Sequence, residues 1–188
     1  MDALDALLTR KSAAMLVEPA PEKQELDQIF SAAVRAPDHG CLRPWQFILF
    51  KGDMRKELGS ILADALKLKN PDASQAALDK EAERPFRAPL VMAVIAKVNK
   101  DAKIPAIEQV ISAGAAAQNI MIAVHALGYA GIWRTGAPSY DGNVRARLGV
   151  TGDDHIVGFL YIGTAKTVPP MPDVDISDHV LEWKAALV

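Results

Sequence analysis

The chain has very little cysteine, few aromatic residues and almost no excess of charge. Its 188 residues include one cysteine, and aromatic side chains make up 6% of them. A single cysteine, Cys41, excludes an intrachain disulfide and a cysteine-rich zinc site, and it is typical of a reducing compartment. A formal net charge of −2 provides no extended basic surface, so we do not expect nucleic acid as a partner.

Several common signatures of cofactor and metal binding are also missing. The sequence contains no G-x-G-x-x-G, no phosphate loop of nucleoside triphosphatases, no H-E-x-x-H and no C-x-x-C. Carboxylate and imidazole groups cluster at residues 153–155 and 173–179, but both clusters lie in polar, loop-like sequence, so we predict no metal site. The N-terminus has neither the basic start nor the apolar stretch of a signal peptide, and we therefore expect a cytoplasmic protein.

The hydrophobic pattern predicts one α+β domain over residues 1–188. Half of the residues are hydrophobic, which is enough to fill one core at this length, and no linker marks a second domain. Apolar residues at helical spacing predict helices over residues 22–35, 54–69, 105–127 and 141–148, with a weaker one over 74–84. Apolar runs predict strands over residues 45–50, 89–98, 129–135 and 155–163, and residues 136–138 are predicted to form a loop.

Two of these segments have further predicted properties. The helix over residues 105–127 has small side chains at 112–117, so we expect a buried central helix that also contributes to a subunit contact. Polar residues interrupt its apolar stretch, and we therefore do not expect it to span a membrane. The polar segment over residues 74–84, between Pro71 and Pro85, is the part that we expect to be mobile or lid-like.

A first basic patch lies near the N-terminus, where Arg10, Lys11 and Ser12 follow one another. The guanidinium offers a forked pair of donors, the ammonium a point charge and the hydroxyl one further donor, a set that suits a phosphate monoester. The alternative is a solvated helix end that happens to carry basic residues.

A second patch follows the helix predicted to end near Arg35. Pro37 cannot continue that helix, so the chain turns and presents Arg35, Asp38, His39 and Arg43 just before an apolar strand. Polar side chains on such a loop are available to a ligand. The alternative is an ordinary turn histidine beside a core tryptophan, Trp45.

The order and spacing of the motifs resemble the FMN-dependent nitroreductase family, and most closely its compact YdjA-like subgroup. The matching motifs cover nearly the whole chain: R-K-S at 10–12, R-A-P-D-H at 35–39, P-W at 44–45, F-R-A-P at 86–89, S-A-G at 112–114, G-I-W-R at 131–134 and I-V-G-F-L-Y-I-G-T at 156–164. The resemblance implies an α+β fold with a central mixed or antiparallel sheet flanked by helices, in an intertwined homodimer with FMN at the subunit interface.

The resemblance also implies roles for individual residues. Arg10, Lys11 and Ser12 would hold the FMN phosphate and ribityl end, Arg35 would contact the polar edge of the flavin, and His39 would reach the cofactor bound mainly by the other subunit. Trp133, Arg134 and Thr135 would line the isoalloxazine ring. The nicotinamide nucleotide would meet a stretch of six residues: Ala123, Val124, His125, Ala126, Leu127 and Gly128.

The implied activity is a flavin-dependent oxidoreductase. FMN would take hydride from NADH or NADPH and pass electrons to a small oxidised acceptor of the nitroaromatic or quinone type in a ping-pong scheme. The family loop commonly reads A-P-S-x-x-N-x-Q-P-W, and this chain has Asp38, Cys41 and Arg43 in place of Ser, Asn and Gln, which leaves the contacts of the pyrimidine edge open. Two alternatives remain: a non-catalytic flavin-binding homodimer that acts as a sensor or carrier, and a dimeric helical domain with solvated basic patches.

Overall fold

The sheet is antiparallel, and its inner strands are the third and the fifth along the chain. The computed structural model describes residues 1–167, 170–171 and 174–183, and its five strands are β1 (Leu16–Val17), β2 (Trp45–Lys51), β3 (Leu90–Ala96), β4 (Ala130–Arg134) and β5 (His155–Ala165). They pair in the order β1–β5–β3–β2, and β4 also pairs with β5. All of these ladders are antiparallel, while an isolated bridge between Ser12 and Gly131 is parallel.

The helices follow the predicted order with two additions. They are α1 (Ala3–Thr9), α2 (Lys23–Ala33), α3 (Met54–Lys69), α4 (Gln75–Ala82), α5 (Ala106–Ala126), α6 (Ala137–Tyr140) and α7 (Gly142–Arg147), and short 3₁₀ turns occupy His39–Cys41, Arg84–Arg87 and Ile176–Asp178. α1 was not predicted as a helix. The predicted loop over residues 136–138 was wrong in part, because Ala137 and Pro138 begin α6, where a proline is tolerated in the first turn.

Helices cover both faces of the sheet. α2 and α5 pack on one face against Leu90, Met92 and Val94, while α3 and α7 pack on the other against Val91 and Ile95. Every residue of β3 is buried, as expected for a strand with both faces covered, and burial of each large side chain contributes about 1.5–3 kcal/mol. β3 pairs with β5, and β5 pairs with β4, so the buried strand fixes the position of β4.

α5 packs as a core helix of this fold. Its length and composition alone would allow it to cross a membrane, and nearly half of its most apolar stretch is buried in the chain. It contacts α2 and the sheet, and the buried side chain of Gln109 bonds to the loop before it through the backbone of Asn99 and Ile104. That this helix does not span a membrane stays a prediction.

The segment that we expected to be mobile or lid-like forms α4 and a 3₁₀ turn packed against α3. A Cβ atom added to Gly59 would lie 2.2 Å from the carbonyl oxygen of Ala82, so the two helices approach very closely. Arg55 donates to the carbonyl oxygen of Ala88 at 2.9 Å and lies over the Phe86 ring. Movement of this segment as a lid would have to break these contacts, and its mobility stays a prediction.

Candidate cofactor site

The basic triplet at residues 10–12 lies against β4. α1 is capped by Asp2, whose carboxylate accepts from the backbone N–H of Asp5, and the helix ends at Thr9. The chain then pairs with β4 through the Ser12–Gly131 bridge and a bond from the Ala13 N–H to the Gly131 carbonyl oxygen at 3.1 Å. A side chain at Gly131 would meet the backbone of Tyr161 at 3.0 Å. The triplet is therefore placed beside β4 by backbone contacts.

His125 connects this region to the last turn of α5. Its Nε2 atom lies 2.8 Å from the Thr9 hydroxyl, which itself lies 2.5 Å from the carbonyl oxygen of Asp5. Because that hydroxyl donates its one hydrogen to Asp5, Nε2 carries the proton and donates to Thr9. Burial, and then the charge of Arg10, lower the pKa of His125, so the ring is neutral at pH 7.

A cleft of about 550 Å³ opens beside this contact. Its walls include Thr9, Lys11, His125, Gly128 and Tyr129. The structure thus brings the first predicted patch together with part of the predicted stretch at residues 123–128. Thr9 and Tyr129 were not among the predicted site residues. The signal in the sequence that could have indicated them is that they are adjacent to two predicted site residues, Arg10 and Gly128.

Val124 does not fit its predicted role. Its side chain is 0% exposed and packs in the core between α5 and the sheet, so contact between that side chain and a nucleotide is excluded by the packing in this chain. Ala123 and Leu127 are partly buried against the same core. Ala126 and Gly128 are exposed, and His125 and Gly128 line the cleft.

His39 lies at the other end of α5. Its Nδ1 atom is 2.7 Å from Oε2 of Glu108, in the first turn of that helix. Glu108 and His125 are 17 positions apart, which corresponds to about 25 Å along an α-helix. Within one chain, the loop that carries His39 and the triplet that begins at Arg10 are therefore far apart.

The loop around His39 has an unusual backbone. Cys41 and Arg43 both have positive φ angles, 53° and 50°, and the Asp38 carboxylate accepts from the N–H of Arg43 at 2.6 Å. Non-glycine residues in this region store strain that is often found at functional sites. Cys41 and Arg43 are exposed, and the contacts that they make to a flavin stay open.

Arg35 is exposed and lies just after α2, whose last turn contacts the middle of α5. The side-chain amide of Asn119, in the middle of α5, donates to the carbonyl oxygen of Ala32 at 3.1 Å. At the other end of α2, the Tyr129 hydroxyl donates to Glu25 at 2.8 Å. These two contacts hold α2 antiparallel to α5.

Trp133 and Arg134 point to opposite faces of the sheet. β5 has a bulge at Val157, because Val94 pairs with Gly158 and the next residue of β3 pairs with Ile156. The indole N–H of Trp133 donates to the carbonyl oxygen of Val157 at 3.2 Å, on the side of α2 and α5.

Arg134 instead lines a small chamber with Arg84, Phe159 and Tyr161 on the side of α3. The backbone N–H and C=O of Arg134 point to β5, because it is Gly131 and Trp133 that face the free edge of β4. Contact between Arg134 and the ring stays a prediction. Backbone N–H groups alternate between strand edges, so the N–H of Trp133 points to the edge that Ala13 contacts at Gly131, and the exposed Thr135 follows directly after β4.

The acidic clusters form ion pairs or lie at the end of the chain. Asp154 pairs with Lys97 and Asp153 with Lys100. Asp173 lies outside the described residues. Among the residues that the structure describes, no three His, Cys, Asp or Glu side chains come close enough to hold a metal ion, and the absence of a metal stays a prediction.

Comparison with known proteins identifies the family. The model of the nitroreductase family matches residues 14–164. "Putative NAD(P)H nitroreductase YdjA" of Escherichia coli K12 is 41% identical over 177 residues, which cover 92% of this chain and 96% of that protein. A "Putative NAD(P)H nitroreductase" of Haemophilus influenzae is 37% identical over 165 residues, with 87% and 89% covered.

Solved structures show the same fold at lower identity. A nitroreductase-like family protein from Bacillus cereus has a TM-score of 0.83 at 21% identity, with 98% of this chain and 97% of that chain covered. The FMN and NADPH-dependent nitroreductase NfnB from sphigopyxis sp. strain HMH has a TM-score of 0.77 at 21% identity, with 98% and 99% covered. The predicted fold class is confirmed, and the chain belongs to the nitroreductase family.

Proposed function

We propose that the protein is a flavin-dependent oxidoreductase that binds FMN and uses NADH or NADPH as its electron donor. The observation that supports this most directly is the basic triplet at residues 10–12, held by β4 beside the His125 cleft in a chain of the nitroreductase family. When bound, FMN would supply the hydride and electron chemistry, which side chains cannot provide.

The triplet fits the phosphate end of FMN. Arg10 and Lys11 form no ion pair with another described residue, so their charges are available to an anion. Ser12 is exposed beside them and adds a hydroxyl donor. Charge-assisted hydrogen bonds of this kind are about twice as strong as neutral ones. The neutral His125 adds no positive charge, and its bond to Thr9 holds the end of α1 against α5.

The free edge of β4 fits the ring. The N–H of Trp133 points to this edge, Thr135 follows directly after β4, and the indole of Trp133 is held against β5 by its bond to Val157. Backbone donors that are fixed before the ligand arrives stabilise negative charge without reorganisation. Arg35 would contribute a positive charge at the polar edge of the ring.

A second copy of the chain would complete the site. His39 lies about 25 Å from the triplet along α5, so it would contact the cofactor held by the other subunit. Apolar side chains that are more than half exposed lie on α1 and at the start of α5: Leu4, Leu7, Leu8, Ile107 and Ile111. Such clusters mark protein interfaces, and we propose a homodimer with FMN between its subunits.

One face of the ring would remain open for the reacting molecules. The nicotinamide donor would use it first, next to His125 and Gly128, and a small nitroaromatic or quinone acceptor would follow in the same place. The two would take turns, which gives ping-pong kinetics. The competing proposal, a flavin-binding sensor or carrier, predicts binding without turnover.

Absorption spectroscopy tests the proposal. The purified protein should be yellow or take up FMN, and it should bleach when mixed anaerobically with NADH or NADPH. Arg10→Ala should weaken FMN binding about tenfold or more, because one charge-assisted bond contributes about 1.5–3 kcal/mol. Lys56→Ala, which removes an exposed cation on α3, is the matched control.

Three outcomes separate the alternatives. A yellow protein that does not bleach would support the sensor or carrier. A colourless protein that cannot be loaded with FMN would support the dimer with solvated patches. Unchanged FMN affinity in both Arg10→Ala and Lys11→Ala would remove the triplet from the site.

A further inference from the structure

A second cleft lies on the face of the sheet opposite to α2 and α5. It has a volume of about 390 Å³ and lies between α3, α4, α6 and α7. Its apolar wall includes Leu62, Ala65, Leu66, Pro138 and Val144. We call it the α3–α6 cleft. None of the residues that line it also lines the His125 cleft.

The inner end of the α3–α6 cleft adjoins the chamber that holds Arg134. The cleft and the chamber share Leu62, Arg84 and Pro138 as wall residues. The chamber has about 10 Å³ of free volume, which is room for one oxygen-sized group. A ligand in the cleft could therefore place a single polar atom in the chamber.

The polar groups at this inner end have few partners. The Nε atom of Arg134 is buried and has no hydrogen-bond partner among the described residues. Tyr161 is 5% exposed, and burial raises the pKa of its hydroxyl, so it remains a protonated donor at neutral pH. Buried donors in folded proteins are normally paired, and leaving one unpaired costs about 1–3 kcal/mol. These groups would gain from an acceptor.

The charges at this end call for one negative charge. Arg84 is paired with Glu81 at 2.6 Å, while Arg134 forms no ion pair within the described part of the chain. The nearby Asp141 carboxylate accepts from the N–H groups of Asn143 and Val144 as the cap of α7. Lys69 also lines the cleft and forms no ion pair among the described residues. Three cations therefore face two carboxylates, which leaves one positive charge in excess, and Glu81 and Asp141 would repel a doubly charged phosphate.

We propose that the α3–α6 cleft binds a small monocarboxylic acid with an apolar body of about the size of one ring. One carboxylate oxygen occupies the chamber, within reach of Arg134 and Tyr161, and Arg84 faces the other oxygen. The planar guanidinium matches the geometry of a carboxylate. The hydrocarbon body lies against Leu66 and Pro138, which are both partly exposed in the cleft, and the volume of the cleft is at the small end of the range for ligand pockets.

Calorimetry with benzoate tests this assignment on the full-length protein as it is purified, with or without bound flavin. Benzoate should bind with a saturable isotherm, and benzamide, its neutral analogue, should bind at least tenfold more weakly. Arg134→Gln should weaken benzoate binding by tenfold or more. Arg147→Gln, which removes an exposed cation of α7 outside the cleft, should leave the affinity within about twofold of the unmodified protein, since screened surface charges contribute little.

A blocking variant locates the ligand. Ala65→Leu adds three carbon atoms inside the cleft and should abolish benzoate binding, while FMN binding stays unchanged because Ala65 lies outside the His125 cleft. Benzoate resonances should show magnetisation transfer from the methyl groups of Leu66. Equal affinity for benzoate and benzamide, or full benzoate affinity in Ala65→Leu, would overturn the proposal.

Discussion

The substitution Gly158→Ala should disrupt the packing of Trp133 against β5 and so destabilise β4. A Cβ atom added there would lie 2.2 Å from Nε1 of Trp133, 2.7 Å from its Cδ1 and 2.9 Å from the carbonyl oxygen of Arg134. Carbon contacts are favourable only near 3.5 Å, so the indole would have to move by about 1.3 Å. That movement would break its 3.2 Å bond to the carbonyl oxygen of Val157.

The cost of Gly158→Ala has two parts. Forcing an extra methyl group into a packed region typically costs about 1–3 kcal/mol. Loss of the Trp133 bond to the Val157 carbonyl oxygen adds about 1 kcal/mol. We expect the free energy of unfolding to fall by about 2–4 kcal/mol in total.

Urea unfolding followed by far-ultraviolet circular dichroism measures this change, with all proteins at one concentration. Gly142→Ala is the matched control: no atom lies within 4 Å of the added methyl group, and alanine favours the start of α7. A double-mutant cycle with Trp133→Leu should recover most of the loss. If Gly158→Ala is as stable as Gly142→Ala, the close packing of Trp133 on β5 is not what supports β4.

Three further predictions concern a buried amide, a histidine pKa and a buried carboxylate. Gln109→Leu should destabilise the fold by about 2–4 kcal/mol, because it removes three hydrogen bonds to the backbone of Asn99 and Ile104; urea unfolding measures this. Arg10→Gln should raise the pKa of His125 in a proton NMR titration, yet leave it below the usual value of about 6.5, because burial is the larger cause. Asp154→Asn should lower the free energy of unfolding at pH 7. It should also make that free energy decrease less as the pH falls into the acid range. Burial is the largest influence on the Asp154 pKa and raises it, but bonds from Lys97 and the Val98 N–H hold the pKa below its usual value. The ionised carboxylate therefore contributes stability above about pH 4, and this stability is lost as the pH falls through the pKa of the folded state.

Each of these predictions has a contrary result. Gln118→Leu changes an exposed residue of α5, and a loss of stability equal to that of Gln109→Leu would show that the buried bonds contribute nothing. An unchanged pKa in Arg10→Gln would mean that this charge does not reach His125. Acid unfolding of Asp154→Asn that parallels the unmodified protein would assign the acid sensitivity to other carboxylates.

Long periodic segments were predictable from the sequence, and short ones were not. The helix predicted over residues 54–69 has the same bounds as α3, and the strand predicted over residues 45–50 is one residue shorter than β2. α1 has only seven residues, too few for a periodic pattern to be distinctive, and its three leucines are exposed. The strand order was left open because β5 pairs with segments that lie far away in the sequence.

The composition of the candidate site was easier to predict than its contacts. The motifs located the triplet at residues 10–12, but nothing in them indicated the bond between Thr9 and His125, which spans 116 positions. The Glu108 partner of His39 is 69 positions away and was missed for the same reason. Trp133 and Arg134 point to opposite faces because successive side chains alternate along a strand. The prediction that both residues line the flavin ring did not take this alternation into account.

The separation of His39 from the basic triplet gives a direct test of a shared site. In a homodimer that places Arg10 of one subunit and His39 of the other at each site, a mixed dimer of Arg10→Ala and His39→Ala chains has one site with both changes and one site with neither. Random exchange of subunits then leaves about a quarter of all sites intact. If both residues served a site within a single chain, mixing would restore none. FMN reduction by NADPH is measured before and after the two variants are unfolded and refolded together, at an FMN concentration too low for either variant alone to be reduced, and this distinguishes the two arrangements. Recovery of about a quarter of the activity requires sites formed by two subunits, and no recovery would refute them.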